Sequence, residues 1–63
     1  RVKLANSYFA VGNFNEAIIL YREHLLQNPK DMNVRLELAR ALSYVGNLKE
    51  SEEEYKKTLE KSY

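Results

Sequence analysis

Apolar residues in this chain recur every three or four positions, in four blocks separated by short polar breaks. Leu4, Ala5, Tyr8 and Val11 share one face of a first helix, and Ala17, Ile18, Tyr21 and Leu25 form the stripe of a second. Leu38, Ala39, Leu42 and Val45 mark a third, and Tyr55 and Leu59 a fourth. This is the period of an amphipathic α-helix, whose positions i, i+3, i+4 and i+7 lie on one side. Nothing alternates with the period of two that a strand pair and its hairpin turn require. The breaks carry matching chemistry. Gly12 and Gly46 stop helices, since glycine readily takes the left-handed conformation just past a helix end. Asn13 and Asn47 follow them as candidate caps, with Glu16 and Glu50 three residues on to complete a capping box. Pro29 stops the second helix, because the residue before a proline disfavours helical geometry, and Asp31 is placed to cap the third. The pattern predicts helices over roughly 1–11, 14–27, 32–45 and 48–61, with ends placed to within a few residues.

The blocks are two copies of one unit. Gly12 and Gly46 stand 34 residues apart, each followed by asparagine. At the same offset Arg1 falls on Arg35, Leu4 on Leu38, Ala5 on Ala39, Val11 on Val45, Glu16 on Glu50, Tyr21 on Tyr55 and Leu25 on Leu59. A closed four-helix bundle has no need to repeat glycine, small residue and tyrosine at one spacing. A stack of identical units does, because each packs on its neighbour in a single geometry. The fold class expected is therefore all-α: antiparallel helix–turn–helix units stacked as a short α-solenoid, with unit 1 at 1–31 and unit 2 at 32–63 in a single domain. Short connections make successive helices antiparallel neighbours.

Leu4-Ala5, Tyr8, Gly12, Phe14, Ala17, Tyr21 and Pro29 together resemble the signature of the tetratricopeptide repeat, and the resemblance covers essentially the whole chain. The second copy departs from it: Leu42 replaces an aromatic residue, Ser51 replaces the small alanine, and Tyr63 stands at the closing proline. The resemblance implies a right-handed solenoid whose first helix in each unit lines a concave groove for a protein or peptide. On that implication the partner meets Lys3, Asn6, Phe9, Asn33, Glu37, Arg40 and Tyr44, with Val2, Ala10 and Leu36 on the same stripes. Leu4, Tyr8 and Val11 already supply the core face, which leaves Phe9 without an evident internal partner. Some chaperone-associated members grip a peptide carboxylate with lysines, asparagines and an arginine. Asn6 matches one of those asparagines, but Val2 stands at a lysine position and Glu37 at a second asparagine, so that mode is not expected.

Composition narrows the alternatives. The chain has 63 residues and no cysteine, so neither a disulfide nor a thiolate metal site helps to hold it. A domain of this size buries only about 60% of its unfolded surface. Ten lysines and arginines against nine aspartates and glutamates are interspersed, which gives no electrostatic footprint for nucleic acid or an anionic membrane. Arg35, Arg40 and Tyr44 share a helix that also carries Glu37, which opposes phosphate. The longest apolar run, Ala17–Tyr21, is far short of the roughly 20 residues of a membrane helix. The chain begins at Arg1 rather than methionine, as expected of a piece cut from a longer array, so missing targeting signals carry no weight. The compartment is not legible, with the cytoplasm only a default.

No catalytic constellation emerges, and neither an enzyme activity nor a cofactor is expected. The lone His24 is read as a packed or half-exposed residue near a helix end. Glu52, Glu53 and Glu54 point in different directions on one helix and do not converge on a metal. Glu52 with Lys56 and Glu53 with Lys57 are expected as solvated i,i+4 pairs. A second function class stays open beside protein binding. Ile19 joins Ile18, Leu20 and Leu26 to make the second helix apolar almost all round, and no polar capping helix follows the fourth. Exposed stacking faces of this kind favour homo-oligomerisation or helix swapping, with Ile19 as the candidate contact.

Overall fold

The computed structural model describes residues 2–60. It contains four helices, α1 (Val2–Ala10), α2 (Phe14–Gln27), α3 (Met32–Tyr44) and α4 (Leu48–Glu60). α2 begins and ends where the pattern predicts, and α3 stops one residue short of it. Expected helix residues 1 and 61, and Tyr63 of the second copy, lie outside the described residues. Each helix packs chiefly on its neighbours in the chain: α1 on α2, α2 on α3, α3 on α4.

The two glycine turns are the same device used twice. Gly12 and Gly46 have φ of +84° and +86°. In the first turn the Gly12 amide donates to the Phe9 carbonyl (3.0 Å) and the Asn13 amide to that of Tyr8 (2.8 Å). In the second, Gly46 donates to Ser43 (3.1 Å) and Asn47 to Leu42 (2.9 Å). This is the Schellman pairing, which satisfies carbonyls that a helix end leaves without partners. The capping boxes do not form as expected. The Asn13 side chain makes no cap bond, and its backbone amide, the group Glu16 would accept from, is already given to Tyr8. Asn47 Nδ2 donates instead to the Glu50 side chain at 3.0 Å. Asp31 does cap α3, accepting from the Val34 amide at 3.3 Å.

The core consists of Ala5, Ala17, Ile18, Tyr21, Leu25, Val34, Leu38, Ala41 and Leu42. Small residues mark the closest helix approaches. Ala5 and Ala17 are fully buried, as is Ala39, whose carbonyl accepts from buried Ser51 Oγ at 2.7 Å. A serine can therefore stand at the small position of the second copy with its hydroxyl satisfied.

Several expected core residues are not core. Leu4 is 51% exposed, whereas its counterpart Leu38 is 2% exposed. The difference follows from neighbours: α3 lies between α2 and α4, while α1 packs chiefly on α2 alone. The same asymmetry exposes Leu59 while its counterpart Leu25 is buried. Val11 and Val45 fall in the turns beyond α1 and α3 and are exposed.

The acidic triplet also differs from expectation. Among the described residues neither Glu52–Lys56 nor Glu53–Lys57 pairs. Glu54 turns inward, takes Arg35 Nη1 at 2.7 Å and meets Lys57 at 3.6 Å. Arg35 donates as well to the Pro29 carbonyl at 2.8 Å, tying the α2–α3 connection to α4. One atom of this network, Arg35 Nε, is buried without a hydrogen-bond partner.

Candidate binding groove

The pitch of the helix pairs opens a concavity of about 470 Å³ on one side of the molecule. α1 contributes Val2, Asn6 and Phe9, α3 contributes Asn33, Val34, Leu36 and Glu37, and Tyr21 of α2 lines it between them. These positions recur at three- and four-residue intervals, so each helix presents one stripe to the cavity.

Tyr21 organises the polar part. Its ring is 1% exposed, and its hydroxyl donates to Asn6 Oδ1 at 2.6 Å. Burial, and then the negative charge of Glu37, hold its phenol above the usual tyrosine range. The bond spends the Asn6 acceptor and fixes the amide, leaving Nδ2 as a donor with no partner among the described residues. Among the described residues, Glu37 is the only charged one that lines the cavity. Arg40, one turn on, comes no nearer to it than 4.0 Å, and both side chains are solvated.

Phe9 corrects an expectation. It does have internal partners: its ring lies 5.2 Å edge-on from Phe14 and 5.7 Å from Tyr44, and Phe14 and Tyr44 are 4.9 Å apart. Three aromatic rings from α1, α2 and α3 thus form one cluster, of which Phe9 lines the groove. Tyr44 remains 62% exposed on top of this cluster.

Of the seven residues named from the sequence, Asn6, Phe9, Asn33 and Glu37 line the cavity together. Arg40 and Tyr44 border it through Glu37 and Phe9, while Lys3 is exposed on α1 and outside the lining. Arg35 belongs to the buried pair with Glu54 rather than to a surface shared with Arg40. Tyr21 was missed because its periodicity reads simply as core, and Val34, four residues before Leu38, falls on the same kind of buried stripe. Ile19 is half exposed on α2 and is therefore not covered by this chain.

His24 has a local task. Its Nε2 lies 2.8 Å from Asp31 Oδ2, which joins the last turn of α2 to the cap of α3. That bond, and then the Val34 amide, hold the Asp31 carboxyl below the usual carboxylate range.

A tetratricopeptide repeat family model matches residues 1–41, which cover α1, α2 and most of α3. The chain belongs to the tetratricopeptide repeat family. No curated protein and no solved structure gives a significant match. The family consists of protein-interaction modules that are generally not catalysts.

Proposed function

We propose that this chain is a non-catalytic adaptor that binds a segment of another protein in the groove between α1 and α3, with residues 1–31 and 32–63 as its two units. The observation that carries the reading is the lining of that cavity. Apolar walls from Val2, Phe9 and Leu36 face two asparagines and a single carboxylate. Binding sites combine apolar surface with a few placed polar groups in this way. Asparagine amides suit a peptide main chain: Asn33 offers a donor and an acceptor, and Asn6, its oxygen held by Tyr21, offers its Nδ2 donor. The test is calorimetric titration of a peptide selected from a random display library on the intact chain. Asn6→Ala and Asn33→Ala should weaken binding about fivefold or more, the size of about one lost hydrogen bond. Glu23→Ala, on exposed α2 surface, should not. Equal losses from all three would sink the groove reading.

A second reading, association with another copy, is favoured by the uncovered ends of the stack. Leu25 and Leu38 are buried inside the molecule, and their 34-residue counterparts Leu59 and Leu4 are exposed at its two ends. The Arg22–Glu50 ion pair between the units maps at the same offset onto Lys56 and Glu16, which are exposed and of the right signs. Head-to-tail stacking of copies would reuse the internal interface. The position of Ile18 is taken by Glu52, which weakens such a contact. Sedimentation equilibrium over a wide concentration range decides: concentration-dependent mass that Leu59→Lys abolishes supports the reading. Ile19→Glu tests the other candidate contact, on the exposed face of α2. A monomer at all concentrations refutes self-association.

A further inference from the structure

We propose that the groove selects a partner segment in which an apolar side chain is followed closely by a lysine or arginine, the cation being held by Glu37. This rests on the groove reading above and names the chemistry of its occupant. Among the described residues that line the cavity, Glu37 is the only charged one. Of the nearby cations among the described residues, Lys3 does not line it, and Arg40 approaches only one oxygen, Oε2, at 4.0 Å. The other oxygen, Oε1, has no partner among the described residues and is free to accept from an incoming cation. An acidic side chain entering here would meet Glu37 with no compensating cation among the described lining residues, which is repulsive.

The remaining lining fixes the rest of the segment. Val2, Phe9, Val34 and Leu36 give the apolar anchor a wall on both helices. Asn6 is locked by the Tyr21 hydroxyl, so its Nδ2 is aimed at a main-chain carbonyl rather than at a second charge. Glu37 lines the same cavity as the Tyr21 ring. A neutral apolar peptide would leave the half-buried carboxylate less solvated and unpaired, and this disfavours it relative to a cationic one.

The test uses peptides selected from a random display library on the intact chain, each then synthesised with Lys, Gln or Glu at its cationic position. Selected sequences should be enriched in Lys or Arg beside an apolar residue. Glu37→Gln should weaken the Lys peptide about threefold to fivefold at low salt, as for a partly exposed ion pair, and leave the Gln peptide unchanged. Glu37→Lys should reverse the preference towards the Glu peptide. Peptides sensitive to Asn6→Ala and Asn33→Ala but indifferent to Glu37→Gln overturn this inference alone. Peptides indifferent to both asparagines overturn the groove reading and this inference with it.

Discussion

Phe9→Ala tests the aromatic cluster beside the groove. If the ring stood free on the surface, its removal would leave stability untouched. The structure predicts a different result, because Phe9 is half-buried against Phe14 and Tyr44. Full burial of a phenylalanine is worth about 1.5–3 kcal/mol, so half burial contributes about 1 kcal/mol. Two aromatic pairs at the lower end of their range add about 0.5 kcal/mol each. The expected loss is about 2 kcal/mol, out of the roughly 3–9 kcal/mol that a chain of this length holds. At about 4–8 °C per kcal/mol, the Tm should fall by about 8–16 °C. The assay is thermal unfolding followed by circular dichroism at 222 nm, with Tyr44→Ala and the double variant measured alongside. The pair should be non-additive, since the two rings share contacts. A Tm within about 2 °C of the parent, or strict additivity, would refute the cluster. Any loss of binding in Phe9→Ala must accordingly be corrected for the unfolded fraction.

Other consequences can be checked by similar means. Tyr21→Phe should cost about 1 kcal/mol, since the exposed Asn6 oxygen can turn to water; a loss above about 3 kcal/mol in urea melts would mean that the hydroxyl supports more than this bond. Gly46→Ala should cost about 1–2 kcal/mol from its left-handed backbone alone, because a Cβ there meets nothing within 4 Å; a neutral result would show that the turn relaxes freely. Asp31 has a lowered folded pKa, so the unfolded chain takes up the proton first. Its contribution is present above the ordinary carboxylate pKa of about 4 and is lost as pH falls through the folded value. Asp31→Asn should therefore flatten the acid side of the stability profile, and an unchanged slope would contradict the cap.

The helices were legible because the apolar period and a stop signal agreed: glycine after α1 and α3, proline after α2. The groove stripes were legible by resemblance, since the first helix of each unit is the one that lines it. Periodicity alone does not report how many neighbours a face has. Leu4 and Leu38 carry the same pattern, yet only Leu38 lies on a helix packed from both sides. Nor does it reveal ties between units. Glu54 reads as one of three solvated glutamates, and only the fold brings Arg35 to it. Tyr21 is a core residue by spacing, and its second task, aligning Asn6, depends on a hydroxyl that reaches across from α2 to α1. Phe9 was misjudged for the same reason, its partners lying 5 and 35 residues further along the chain.

The most direct test of the central claim is a map of backbone amide shifts in the labelled chain as a selected peptide is titrated in. The account predicts the largest shifts at Asn6, Phe9, Asn33, Leu36 and Glu37, on the facing stripes of α1 and α3. Shifts concentrated at Ile19, Leu26 or Leu59, with the groove silent, would contradict it.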